Sequence, residues 1–319
     1  MKKAGIIGGS GFIGSYITKR FLEEKFKVKV STTDISKKEK YQHLKSLKNS
    51  TYLEIKQLDV EKINELETFI KDCEIIVHCG TPFKLDVENP HKELFDPTIK
   101  GTENFLKLVK DSPCIEDVVF VASVASYNTN FPFPVADKGV TDVFSETDKP
   151  YYNEESNPYA QAKFIANKTV DKFIHENPDI GFEIVSISPV AVMGKALSHR
   201  EDSTSVGLQF LFKNKIAPNS FIEMLYEKDV TFAMVDVVDV AESAYKAATL
   251  NGIHGKNYLI SSDSWKVSDI SLMLNNLPPE GKPQIVYNSE LAEKELGIHF
   301  KPSEVPLNKF GSFENPSLN

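Results

Sequence analysis

The sequence predicts an α/β fold, a doubly wound parallel sheet with a smaller C-terminal substrate lobe. Three observations lead there. Short β-branched runs alternate with helical-period stretches through the first half of the chain. Two of the runs, Ile75-Ile76-Val77 and Val118-Val119-Phe120-Val121, are almost unbroken in apolar character, as strands covered on both faces must be. A glycine cluster, Gly8-Gly9-Ser10-Gly11-Phe12-Ile13-Gly14, stands where the first strand passes into the first helix.

In order, strands are read at Ala4–Gly8, Lys27–Thr32, Tyr52–Gln57, Glu74–Gly80, Val118–Ser123 and Phe182–Pro189. Helices are read between them at Phe12–Lys25, Glu61–Lys71, His91–Asp111 and Asn157–Glu176. After Pro189 the alternation loosens, and residues 191–232 mix Gly, Pro, Ser and aromatics without a firm period. A short run, Val235–Val240, leads into a helix over Ala241–Leu250, and Asn257–Ser261 is a further strand. Pro278-Pro279, Pro283, Pro302, Pro306 and Pro316 break the remainder into short pieces. This divides the chain into a dinucleotide-binding domain (1–190 and 233–262) and a substrate lobe (191–232 and 263–319). Asn128–Asn157, with Phe131-Pro132-Phe133-Pro134, is long for a loop without a period, a length often given to functional lids.

Composition excludes several classes. A net charge of −8 argues against nucleic acid, which requires a clustered basic face. Three cysteines, Cys73, Cys79 and Cys114, make no paired framework and point to the reducing cytoplasm. Five glycines by residue 14 break the apolar start, so MKKAGIIGGSGFIG is not expected to act as a signal peptide, and no run is long enough to span a membrane. His78-Cys79 has no spaced partner pair, so no metal site is expected.

Chemistry concentrates at two places. Gly8, Gly11 and Gly14 have GxxGxxG spacing, and glycine there lets a pyrophosphate reach the amides that open the helix. Asp59 lies where such folds contact adenine, though it serves equally well as a helix cap, and Gly80 ends the fourth strand where backbone can lie against the cofactor. Tyr159 and Lys163 stand one helical turn apart, and a neighbouring cation favours phenolate and lowers the phenol's pKa. With 11 tyrosines about one chance YxxxK is expected, and Tyr41–Lys45 supplies it. Tyr159 differs in following Asn157-Pro158 at a helix start, downstream of Ser123 at the fifth strand's carboxyl end. Ser123 can steady a developing oxyanion there, with Ser126 as a competitor whose alternative is to satisfy a turn.

On these residues the chain resembles the extended short-chain dehydrogenase/reductase superfamily, with its Rossmann domain. Within it the chain is similar to the group of dihydroflavonol reductase, cinnamoyl-CoA reductase and the yeast methylglyoxal reductases. Gly8–Gly14, Asp59-Val60, His78–Phe83, Asp96–Asn104, Val119–Ser123, the Tyr159/Lys163 pair, Ser188–Gly194 and Val235–Ala241 each resemble a segment of that group. The resemblance implies a reversible ketone or aldehyde reduction with Ser123, Tyr159 and Lys163 catalytic and Tyr159 the proton donor. It implies that Gly8, Ser10, Gly11, Phe12, Ile13, Gly14, Thr33, Lys37, Asp59, Val60, Gly80, Thr81, Tyr159, Lys163 and Pro189 hold the cofactor. Phe83, Ser123, Ser126, Tyr127, Val192 and Met193 would meet the substrate, a small, largely uncharged molecule. The family often pairs through the Tyr–Lys helix and its predecessor, which makes a homodimer one assembly open to the chain and leaves the oligomeric state undecided by the sequence.

The chain departs from the pattern in two places. Ala122 precedes the serine, and Thr33 stands where the reductases commonly place an Arg for the NADPH 2′-phosphate. Lys37 and Lys38 could supply that charge or simply begin a solvated helix, while Asp34 is the nearest carboxylate for NAD; NADP is preferred over NAD. Two other functions fit the same scaffold, a nucleotide-sugar epimerase or dehydratase and a non-catalytic dinucleotide sensor. The first must clamp a diphosphate, for which Arg is favoured, and the chain has only Arg20 and Arg200.

Overall fold

Strands that are apolar on both faces need helices above and below, and that is how the chain folds in this computed structural model. The structure describes residues 1–80, 89–135, 138–139, 141–198 and 203–312. Seven parallel strands form the main sheet: β1 (Lys3–Ile7), β2 (Lys27–Thr32), β3 (Leu53–Gln57), β4 (Ile75–His78), β5 (Asp117–Val121), β6 (Glu183–Pro189) and β9 (Asn257–Ile260). Their order is β3-β2-β1-β4-β5-β6-β9, so the winding reverses between β1 and β4, where Ile6 lies opposite both Val30 and Val77.

Side chains alternate across the strands, which gives each face its own core. Ala4, Ile6, Val28, Val30, Ile75, Val77, Val119 and Val185 pack with α1 (Phe12–Glu23) and α7 (Val237–Ala247). Ile7, Ile76, Val118 and Ile184 face the other way, against α2 (Ile63–Ile70), α3 (Asp96–Lys110) and α4 (Pro158–Glu176). The helix expected from His91 opens with a π-type turn, His91–Phe95, before α3.

A second sheet, β10-β8-β7, joins β7 (Ala191–Met193), β8 (Thr231–Asp236) and β10 (Ser264–Lys266). With α5 (Thr204–Asn214), α6 (Ser220–Glu227), α8 (Val267–Leu274) and α10 (Glu304–Gly311) it encloses a separate core of Met193, Phe212, Leu225, Met234, Trp265 and Met273. Residues 233–236 thus pair in this small sheet, whereas 237–260 return to the large one. The expected run Val235–Val240 also divides: Asp236 ends β8 and caps α7 by accepting from the Val238 N–H at 2.9 Å. Helix α9 (Glu290–Leu296) packs beside β9.

Among its described residues, the long segment 128–157 is tied down as a strap rather than left as a free lid. Phe144 exchanges backbone hydrogen bonds with Val286 and Asn288, and the Glu146 carboxylate accepts from the Leu259 N–H at 2.8 Å. Val135 and Phe144 are buried in the large core. Among the described residues no helix is long and apolar enough to cross a membrane.

Candidate active site

The winding reversal opens a crevice at the carboxyl ends of β1 and β4. Two glycine-bearing turns meet there. Gly8 has φ +75, and a Cβ on it would lie 3.2 Å from the Gly80 backbone nitrogen. A Cβ on Gly14 would lie 2.1 Å from the Gly8 carbonyl oxygen, so only glycine lets α1 start this close to the turn. No side chain caps α1, which leaves the amides of its first turn, at Phe12, Ile13 and Gly14, directed at the crevice. Ser10 is buried beside the end of β2, and Ser31 Oγ accepts from the Gly8 N–H at 2.8 Å. These residues fit a dinucleotide pyrophosphate: an uncapped helix N-terminus and a cradle that any Cβ would fill.

The end of β2 carries the residues read for the ribose and its phosphate. Lys37 is exposed at the start of a 3₁₀ turn, Lys38–Lys40, and the turn folds Lys40 back so that its Nζ donates to Thr33 Oγ1 at 3.0 Å. Lys40 is therefore the cation nearest Thr33, and its fold-back is a tertiary feature that the sequence spacing hides. Asp34 is committed to its own turn, accepting from both the N–H and the hydroxyl of Ser36, which hold its carboxyl below the usual range. Asp59 also acts locally, accepting from the Glu61 N–H at 3.1 Å with Lys62 close by, but this closes a turn ahead of the helix, whose N-cap is Lys62, so Asp59 is not the cap. The helix it precedes starts at Ile63 rather than Glu61.

Val60 and Gly80 line a cavity of about 70 Å³ that runs inward between α3 and α4 to Lys163 and Asn167. Asn157 caps α4 by accepting from the Tyr159 N–H at 2.8 Å, and Pro158 pre-sets the first turn. Lys163 is buried, with Nζ 5.8 Å from the Tyr159 ring centroid. The decoy pair is similar in this respect, since Lys45 Nζ lies 5.4 Å from the Tyr41 ring. Place separates the two: Tyr41 donates its hydroxyl to the Ile35 carbonyl in the loop after β2, whereas α4 packs against the turn that follows Ser123.

Burial pushes the Tyr159 phenol up to about 12 and the Lys163 ammonium down to about 8. The expected lowering of the phenol by its cation is thus overturned by desolvation. His78, behind Lys163, is held neutral with its pKa lowered to about 4, by burial first and the Lys163 charge second.

Ser123 is half-buried, and its Oγ accepts from the Ala125 N–H at 3.2 Å, which leaves the hydroxyl proton for another acceptor. Ser126 and Tyr127, expected at the substrate, point inward: Ser126 is buried 2.7 Å from Ser188 Oγ, and Tyr127 donates to the Asn257 carbonyl. Pro189 ends β6 in the buried layer, Val192 packs into the large core and Met193 into the small one. Thr81, Phe83 and Arg200 lie outside the described residues.

The family model described as "NAD dependent epimerase/dehydratase family" matches residues 4–261. The chain belongs to that family. Among relatives of this family member, cinnamoyl-CoA reductase of Medicago truncatula is 28% identical over 318 residues, covering 95% of this chain and 92% of that one. Anthocyanidin reductase of Arabidopsis thaliana is 28% identical over 93% of this chain and 84% of that one. The same fold occurs in yeast methylglyoxal/isovaleraldehyde reductase complexed with NADPH, at a TM-score of 0.79 and 22% identity over 97% of both chains. Vestitone reductase from alfalfa shares it at a TM-score of 0.72 and 20% identity over 97% of this chain and 96% of that one.

Proposed function

We propose that this chain is a cytoplasmic, NADPH-dependent reductase of small, largely uncharged ketones or aldehydes, with Tyr159 as proton donor. The observation that carries the reading is the place of the Tyr159–Lys163 pair on the first turns of α4, with Lys163 buried and the helix packed against the Ser123 turn. Reductases recur among the relatives, and one neighbour of the same fold was solved with NADPH. All three cysteines are unbridged, which suits a reducing compartment.

The turn 8–11 and the first amides of α1 would hold the pyrophosphate, and Thr33 with Lys40 would receive a 2′-phosphate. Val60 and Gly80 would flank the adenine end. A bound reduced nicotinamide supplies hydride. Ser123 directs its hydroxyl proton at the carbonyl oxygen and stabilises charge as it develops. Tyr159, kept protonated by burial, gives its proton to that oxygen, and Lys163, still an ammonium below about pH 8, stabilises the phenolate left behind.

The epimerase or dehydratase reading is weaker because a diphosphate-linked sugar needs a guanidinium clamp. Arg20 is paired with Glu24 and Glu242 and lies 4.2 Å over the Tyr245 ring, on the α1–α7 face. NADPH oxidation across a panel of aldehydes and ketones tests the proposal. Tyr159→Phe should cut kcat by about 100-fold or more while still binding NADPH. Equal turnover in the variant, or none in the native chain, overturns it.

A further inference from the structure

Ser126 and Tyr127 are too deeply buried to meet a substrate, yet both sit within four residues of Ser123. Their partners give them a different task. Ser126 Oγ bonds the Ser123 carbonyl at 2.6 Å and stands 2.7 Å from Ser188 Oγ on β6. Ser188 donates to Asn257 Oδ1 on β9 at 2.8 Å. Asn257 Nδ2 donates to Asn167 Oδ1 on α4 at 3.0 Å, and Asn167 Nδ2 to Asp171 Oδ2 at 3.3 Å. Tyr127 braces the same strand end by donating to the Asn257 carbonyl.

Tyr159, Lys163, Asn167 and Asp171 fall at four-residue spacing, one stripe along α4. The chain of bonds therefore starts at the backbone of Ser123 and ends on the helix that carries the Tyr–Lys pair. We propose that Ser126, Ser188, Asn257 and Asn167 are positioning residues that lock the Ser123 turn to α4, and so fix the serine hydroxyl relative to Tyr159.

Proton counting shows why the lock has a single arrangement. The Asp171 carboxylate, exposed and shared with Lys168 Nζ at 3.3 Å, accepts only, which turns the Asn167 NH₂ to it and the Asn167 oxygen to Asn257. Asn257 then presents its oxygen to Ser188, which draws the Ser188 proton. Only the Ser126 proton remains for two contacts, Ser188 Oγ and the Ser123 carbonyl, and it is shared between them. Each amide is then satisfied in one orientation, and a satisfied network, buried at Ser126–Ser188 and part-buried beyond, specifies one geometry.

The inference rests on the reductase reading, and its test separates the two. Ser126→Ala, Asn167→Leu and the double variant are measured for kcat, KM and NADPH dissociation constant. A displacement of about 1 Å at a reacting group can cost up to about 100-fold. Each single variant should lose about tenfold in kcat, with KM and NADPH binding within about twofold, and the double variant should lose no more than the worse single. Multiplying losses, unchanged kcat, or NADPH binding that weakens in step with kcat overturns the proposal. Crystal structures of the native chain and Ser126→Ala give a readout free of turnover. The Ser123–Tyr127 turn should move against α4 by about 0.5 Å or more. A superposable turn overturns the positioning role, whereas a shifted turn in a chain that reduces no carbonyl upholds it and sinks the reductase reading instead.

Discussion

Desolvation sets the working charge of Tyr159 and Lys163. With the phenol at about 12 and the ammonium at about 8, the pair at neutral pH is a neutral donor above a cation. Raising the pH through about 8 removes the cation, so kcat for carbonyl reduction should fall above that value, and a pH–rate profile at saturating NADPH checks it. A profile flat to pH 10, or Lys163→Met keeping the native rate, refutes the assignment. Stability runs the other way. The folded value lies below the ordinary 10.5, so between about 8 and 10.5 the unfolded chain binds more protons and Lys163's burial penalty fades as pH rises. At this scale the Tyr159–Lys163 spacing was legible because it is local, and Ser123 because it ends a strand. The direction of the phenol's shift was not legible, since it comes from burial by distant segments. Nor was Lys40, which reaches Thr33 only through the 38–40 turn.

Among the elements, the β1–α1 turn carries the tightest steric requirement. Gly14→Ala would drive a methyl into the Gly8 carbonyl, and that atom belongs to a backbone held on both sides. The variant should bind NADPH at least about tenfold more weakly and lose about 1–3 kcal/mol to overpacking, read by cofactor titration and urea unfolding. Gly207→Ala is the control. A Cβ there meets nothing within 4 Å in α5, so alanine's better helix propensity should add about 0.5–1 kcal/mol with NADPH affinity unchanged. If Gly14→Ala binds like the native chain, the turn does not carry the pyrophosphate. The six main strands and four helices of the first half were readable because both periods persist over whole elements. β7 and β10 have three residues each, too short for a period. The β8–α7 junction was hidden because Val235–Val240 is apolar apart from Asp236 and Asp239, and only the Asp236 cap marks the change.

At the scale of the molecule, the doubly wound sheet followed from alternation alone, while the small sheet did not, because β7 and β10 are too short to show a period and only long-range packing brings them to β8. The same long-range packing couples overall stability to pH through His78. Its ring lies 4.8 Å from Phe105 on α3 and 5.6 Å from Phe120 on β5, and burial with the Lys163 charge lowers it to about 4. The unfolded chain therefore binds more protons between about 6.5 and 4, and His78 costs stability as pH falls through that window. Asp117 works against this, since burial raises it to about 6 and its stabilising contribution is lost as pH rises from 3.8 through 6. The native curve alone mixes the two, but a difference between the native chain and His78→Phe isolates the histidine. Relative to pH 7, the variant should gain about 2 kcal/mol on the native chain by pH 4.5, read as the change in urea unfolding free energy. A pH-independent difference would mean that His78 is not held neutral. Lys163→Met should narrow the same window, because removing the ammonium lets His78 take up its proton at a higher pH.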